Sequence, residues 1–205
     1  MPEWMTSNLL PLGICLIAYL MGSASSAIVV CKLMRLEDPR GLGSGNPGAS
    51  NVLRNHGKRP AAFTFAGDTL KVIIPIVIGI GLGISPYWLS WVACAGCLGH
   101  MYSLFHKFEG GKGVATAFGA IFTLFWPLGC LLGIIWLALA KLTGTASVGS
   151  IAAWLCAPFV IYFWQPDYWP GIACMSAFIV YRHKDNIKRL LAGEENALKS
   201  EPPPS

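Results

Sequence analysis

Charge is what this sequence has least of: only 12% of its 205 residues are Asp, Glu, Lys or Arg, against roughly 25% in an average soluble domain. That scarcity excludes an ordinary soluble domain. Basic residues are missing from the N-terminus, where Glu3 is the only charged side chain before Leu9. A secretory signal begins with Lys or Arg, so the apolar block 8–31 is read as a retained span, although Ser23-Ala24-Ser25-Ser26-Ala27 offers the small residues a signal peptidase accepts. Seven cysteines, an odd number scattered through apolar segments, do not form a disulfide framework. Cys94 and Cys97 make a C-x-x-C inside a hydrophobic run with no second pair, and are read as small packing residues. No cluster has metal-ligand spacing, and no G-x-S-x-G supplies a serine-hydrolase elbow. Neither an internal repeat nor a soluble second domain is visible, and the chain reads as one domain over 1–200 with a disordered tail at 201–205.

What the sequence does have is 54% apolar residues gathered in long runs. Block 8–31 carries no charge until Lys32 and spans roughly 30 Å of hydrocarbon as a helix. Further blocks cover 61–84, 86–105, 114–140, 148–164 and 168–181. Their number is a parity question. If 114–140 crosses once, Lys112 and the basic C-terminal tail fall on opposite sides. If the chain turns at Trp126-Pro127, two short helices bring fourteen of the fifteen Lys and Arg residues to one side and leave none on the other. The positive-inside rule favours this seven-helix arrangement, N-terminus outside and C-terminus cytoplasmic. Helices of about thirteen residues are short of a full span, which thinning of the bilayer or burial among neighbours must accommodate. The expected fold is an all-α integral membrane protein, a seven-helix bundle including short helices.

Four segments could carry chemistry. Gly43, Gly45 and Gly48 satisfy G-x-G-x-x-G, but no strand precedes them, so a dinucleotide loop is excluded. Glycines let backbone N–H groups approach an anion, and Ser44, Asn46, Ser50 and Asn51 add neutral donors while Arg54 adds a fork suited to phosphate. A plain interhelical loop rarely needs that density of donors. Gly110-Gly111-Lys112-Gly113 is not a Walker A loop, yet amides at a helix N-terminus beside a lysine form an anion site; Lys112 would serve equally as a positive-inside anchor. Asp68 and Lys71, at i and i+3 inside an apolar block, read as a pair facing the bundle interior, structural or functional. His100 reads as a hydrogen-bonded interfacial residue or a general base, and His183, beside Asp185 and Asn186, as a polar-cluster residue or a general base.

Taken together, these segments resemble the bacterial acyl-phosphate:glycerol-3-phosphate acyltransferase family over nearly the whole chain. The similarity rests on Gly22-Ser23, on Gly43-Ser-Gly-Asn-Pro-Gly-Ala-Ser-Asn51 with Arg54, on Asp68-x-x-Lys71, on Gly99-His100 with Phe108-Glu-Gly-Gly-Lys-Gly-Val-Ala-Thr116, and on His183-Lys-Asp-Asn-Ile187 with Arg189. The resemblance implies a multi-pass enzyme of the bacterial inner membrane with its active site toward the cytoplasm. It would transfer an acyl chain from acyl phosphate to the 1-hydroxyl of glycerol 3-phosphate, the first acylation step of phospholipid synthesis. No cofactor, metal or nucleic acid is implied; the partners are the two substrates, membrane lipid and the upstream enzyme that makes acyl phosphate. It assigns Ser44, Asn51, Arg54 and Lys112 to phosphate clamping, Ser147, His183 and Asn186 to glycerol phosphate, and supporting places to Ser23, Asp68, Lys71 and His100. Arg54, Lys112 and His183 are the catalytic candidates. Four positions depart from the pattern: Ser50 for Thr, Glu109 for Lys, Ala146 for the first of two serines, and Val72 for Gly. Two rivals are an organic-phosphate transporter and an acyltransferase that uses acyl-CoA or acyl carrier protein.

Overall fold

The computed structural model describes residues 3–198, with side chains from residue 8 onward; Lys199 and the tail at 201–205 lie outside the described residues. Among the described residues there are ten α-helices and no strand.

The first apolar block is not one helix, as the sequence suggests, but two. Helix α1 (Glu3–Ser23) and α2 (Ser26–Leu33) meet at a 41° bend. Ser25 sets it by taking extended backbone and accepting the Ile28 N–H on its hydroxyl at 3.5 Å, a cap that starts a new helix. The Ala24 carbonyl at the break is satisfied by Lys71 Nζ at 2.8 Å. An unsatisfied carbonyl in an apolar interior would cost several kcal/mol, so this bond makes the break tolerable.

A 3₁₀ turn (Pro39–Gly41) and α3 (Ala49–His56) break the first polar loop, as its Gly and Pro content predicts. Helices α4 (Lys58–Gly81) and α5 (Pro86–Met101) follow. Block 114–140 breaks at Phe125 into α6 (Val114–Leu124) and α7 (Trp126–Thr143), with Pro127 in the first turn of α7, where a missing N–H is no loss. The halves are unequal, 11 and 18 residues, because the break is fixed by Pro127 and not by the midpoint. Helices α8 (Ala146–Trp164), α9 (Trp169–Arg182) and α10 (Lys184–Ala192) complete the chain. By length and composition α4, α7 and α8 can each cross a bilayer, as can the bent α1–α2 pair.

Helix α1 packs on α5, α4 on α6, α7 on α8, and α9 on both α5 and α8. Glycine makes the first contact close: a Cβ at Gly22 would collide with the Gly96 carbonyl, and one at Gly99 with the Tyr19 carbonyl. The main core gathers around Trp154, with Met101, Ile121, Leu128 and Met175. The polarity of inside and outside is inverted relative to a soluble protein. Leu9, Leu12, Leu16, Phe63, Phe159 and Phe163 are more than half exposed, whereas Ser23, Asp68, Lys71, His100 and Thr116 are buried. Such an outer surface suits lipid.

Candidate active site

Three connections between helices converge at one end of the bundle. In the first, Gly43 and Gly45 take positive φ (54° and 68°), turning the chain back on itself. Asn51 staples the turn: its Nδ2 donates to the Pro39 carbonyl (2.8 Å) and the Leu42 carbonyl (3.0 Å), and its Oδ1 accepts from Ser44 N (3.1 Å) and Ser44 Oγ (3.2 Å). Asn51 is thus committed to shaping the loop. Arg54, one turn on in α3, reaches back with Nη2 to Ser44 Oγ at 3.3 Å. Burial holds the Arg54 guanidinium below its ordinary pKa, with Glu195 opposing and Arg189 reinforcing the shift. Ala49 and Ser50, in the first turn of α3, face the same space, and first-turn amides have no intrahelical partner.

The second connection turns sharply through Lys107 and Phe108, both at positive φ, into Gly110-Gly111-Lys112-Gly113. Gly111 N donates to the His100 carbonyl at 3.1 Å. Arg182 clamps the other side, with Nη2 on the Gly110 carbonyl at 2.7 Å, Nε on the Gly111 carbonyl at 3.2 Å, and its guanidinium over the Tyr102 ring. Lys112 Nζ donates to Asn186 Oδ1. Burial lowers the Lys112 pKa to about 8; Arg189, Arg54 and Arg182 push the same way and Glu195 opposes them.

The third connection joins α9 to α10. His183 is buried, and its Nδ1 donates to the Ile179 carbonyl at 2.7 Å, which leaves Nε2 as an acceptor. Burial lowers its pKa to about 4, against the Ile179 hydrogen bond and with help from Lys112, so the ring is neutral. After Gly193, in the left-handed conformation, the chain turns back and Leu198 N docks on the Gly144 carbonyl at 2.7 Å. This brings Glu195 into the centre. Its Oε1 accepts from Ser147 Oγ (3.0 Å) and Asn186 Nδ2 (2.6 Å), and its Oε2 from Arg189 Nε (2.9 Å).

A cavity of about 130 Å³ is lined by Arg54, Lys112 and His183, and by Ser44, Asn46, Ser50, Asn51, Gly113, Ser147 and Asn186, with Asp68 and His100 at its inner wall. An adjoining, more open cavity of about 570 Å³ shares Ser44, Asn46 and Lys112 and adds Arg40, Gly110, Arg182, Lys184 and Arg189. Glu109 lies at this second cavity. Gly111, Lys71 and Ser23 line neither of these two cavities. Ser23 joins α1 to the turn after α5: its hydroxyl donates to the Tyr19 carbonyl (2.9 Å) and accepts Leu104 N (3.3 Å). Asp68 and Lys71 are ion-paired at 2.9 Å. Sequence reasoning misses Glu195, Ser150 and Trp136, which also line the first cavity, and the clamp made by Arg182. Among the described residues no three His, Cys, Asp or Glu side chains converge as metal ligands.

Gly110 tests how tightly the lysine loop must be held. A Cβ there would fall on the His100 carbonyl oxygen, a backbone atom that cannot step aside, so Gly110→Ala must displace the loop and Lys112 with it. A displacement near 1 Å costs about 100-fold in a positioned reaction, and that loss is expected in kcat/KM. Gly41→Ala, where a Cβ meets nothing within 4 Å, is the control and should retain wild-type initial rates.

The sequence profile described as glycerol-3-phosphate acyltransferase matches residues 12–193. A glycerol-3-phosphate acyltransferase of Sodalis glossinidius is 48% identical over 191 residues, covering 93% of this chain and 91% of the relative. The crystal structure of PlsY (YgiH), an integral membrane glycerol 3-phosphate acyltransferase, in its glycerol 3-phosphate form superposes with a TM-score of 0.86 at 36% identity, covering 92% of this chain and 95% of that one. The same protein in its lysophosphatidic acid form gives a TM-score of 0.84 at 35% identity, with the same coverage.

Proposed function

The chain belongs to the glycerol-3-phosphate acyltransferase family, and on that footing we propose that it transfers an acyl group from acyl phosphate to the sn-1 hydroxyl of glycerol 3-phosphate, releasing lysophosphatidic acid and inorganic phosphate. The observation that carries this reading is the pair of adjoining basic cavities with Ser44, Asn46 and Lys112 in their shared wall. A reaction between two phosphate-bearing substrates needs two anion sites that meet. Ser147, His183 and Asn186 serve glycerol 3-phosphate; Ser44, Ser50 and Arg54 serve the acyl phosphate, with Asn51 shaping their loop and Lys112 reaching both.

Phosphate is a good leaving group, so no covalent acyl-enzyme is required. The glycerol oxygen bonds to the carbonyl carbon, the bond from that carbon to the phosphate oxygen breaks with its electron pair, and Arg54 and Lys112 stabilise the charge on the departing phosphate. A pKa of about 4 makes His183 a weak base. Its Nε2 acts better as an acceptor that aims the glycerol hydroxyl, and the proton passes to a phosphate oxygen, whose second pKa is about 6.

The Lys and Arg distribution supports seven membrane helices in the bacterial inner membrane, the active site facing the cytoplasm, with the enzyme that supplies acyl phosphate as a partner. Purified protein in detergent, given labelled glycerol 3-phosphate and one donor at a time, tests the assignment. Lysophosphatidic acid and phosphate should form from acyl phosphate alone. Equal turnover from acyl-CoA or acyl carrier protein would overturn the donor. No turnover with any donor, together with uptake of glycerol 3-phosphate into proteoliposomes, would make the protein a carrier. Label retained on the enzyme after acyl phosphate alone would overturn direct transfer.

A further inference from the structure

The hydrogen-bond chain that begins at Lys112 runs in one direction and ends on a carboxylate. Lys112 Nζ donates to Asn186 Oδ1, and Asn186 Nδ2 donates to Glu195 Oε1 at 2.6 Å. Ser147 Oγ donates to the same oxygen at 3.0 Å, and Arg189 Nε donates to Oε2 at 2.9 Å. An ammonium group only donates and a carboxylate only accepts, so with one on either side the Asn186 amide can face only one way. Its oxygen turns to Lys112 and its nitrogen to Glu195.

The carboxylate is itself held in place. Gly193, in the left-handed conformation, starts the turn that carries it inward, Leu198 N on the Gly144 carbonyl closes that turn, and Arg189 fixes Oε2 from α10. The Glu195 side chain is 7% exposed, and it lines the first cavity with Lys112, Ser147 and Asn186. Of the charged groups around Lys112, Arg54, Arg182 and Arg189 are cations from α3, α9 and α10, and Glu195 opposes them. His183 beside them is neutral. Without Glu195, three like charges would repel the ammonium, and the Asn186 amide would lose the partner that sets its orientation.

We infer that Glu195 is a positioning residue of the phosphate site: it sets the orientation of the Asn186 amide and, through that amide, holds the Lys112 ammonium in the wall shared by the two cavities. The inference rests on the acyl-transfer reading and adds to that site a residue that acts through Lys112. Glutamine cannot take over this role. An amide has one accepting end and one donating end, whereas both oxygens of Glu195 receive N–H or O–H donors. Whichever way a Gln amide turns, its NH2 group meets either Arg189 or the Asn186 and Ser147 pair. Aspartate keeps the charge but is one methylene shorter, and on a segment anchored at Gly193 and Leu198 it reaches fewer of the three donors.

Two measurements test it. The first is a double-mutant cycle with Lys112. Glu195→Gln should lower kcat/KM by roughly 30-fold in the otherwise wild-type protein and by less than about threefold in Lys112→Met, because the effect passes through the ammonium. Glu195→Asp should lose roughly tenfold, with its high-pH limb closer to wild type than that of Glu195→Gln, since the negative charge is kept. A merely structural role predicts equal losses in the two backgrounds; that result, or wild-type rates from Glu195→Gln, overturns the inference. The second measurement needs no turnover: acetylation of Lys112 by acetic anhydride, followed by mass spectrometry as a function of pH. Its midpoint should move to lower pH in Glu195→Gln and stay near wild type in Glu195→Asp, and an unchanged profile in Glu195→Gln overturns the inference. Failure of the wild type to form lysophosphatidic acid would instead count against the acyl-transfer reading, and the acetylation profile would still decide whether Glu195 governs Lys112.

Discussion

Arg54→Ala is expected to lower kcat/KM by roughly 1,000-fold and Arg54→Lys by roughly 100-fold, losses far larger than any accompanying fall in melting temperature accounts for. The reason lies in where Arg54 sits. It sits half-buried on α3, within the field of Arg189, its guanidinium held below the ordinary pKa mainly by burial. Its Nη2 donates to Ser44 Oγ at 3.3 Å. A half-buried cation that lines the same cavity as Lys112 is placed to meet an incoming anion. Lysine keeps the charge but loses the planar fork that engages two phosphate oxygens at once, which is why the conservative change still costs about two orders of magnitude. Paired measurements of initial rates and melting temperature in detergent check this. A loss of activity that tracks a loss of melting temperature would instead assign Arg54 to the fold.

Arg54, Lys112 and His183, which the fold gathers around one cavity, are legible as site candidates in the sequence because their chemistry belongs to the residue type and a glycine-rich or polar context announces it. The helical, membrane-embedded character is legible because apolar runs of that length have few other uses. What is hidden depends on side-chain direction and on long separations. Asn51 sits in the right loop, but no pattern tells that its amide bonds to Pro39, Leu42 and Ser44 and shapes the turn. Glu195 lies in Gly193-Glu-Glu-Asn196, where the sequence marks no site residue; the left-handed Gly193 turns it onto Ser147, 48 residues away. Gly193 is the signal that could have found it, since glycine after a basic amphipathic turn marks a helix stop. The bend after Ser23 is missed because Ser25 is read among small residues and not as a cap. Lys71 then turns out to close the Ala24 carbonyl that the bend opens, with the same Nζ 2.8 Å from His100 Nδ1. A residue assigned to charge neutralisation from sequence thus links a helix break to the active-site wall.

The pH dependence should be governed by Lys112. With its pKa at about 8 in the unliganded protein, the ammonium is present below that value and lost as pH rises through it. The kcat/KM for glycerol 3-phosphate should therefore fall above about pH 8, tenfold per pH unit once Lys112 is mostly neutral, because kcat/KM reports groups of the free enzyme. The corresponding limb in kcat should lie higher, since a bound phosphate favours the charged form. His183, with a pKa of about 4, contributes no limb near neutrality. Three variants separate Lys112 from other groups. Lys112→Arg carries a charge that does not titrate in this range, so the falling limb should disappear. Lys112→Met should be slower by roughly 100- to 1,000-fold at every pH, with that limb also gone. Glu195→Gln removes the carboxylate that raises the Lys112 pKa, so the limb should move to lower pH, the opposite of what loss of a base would do. A falling limb that persists unchanged in Lys112→Arg would assign the ionisation to another group and remove Lys112 from the centre of the two phosphate sites.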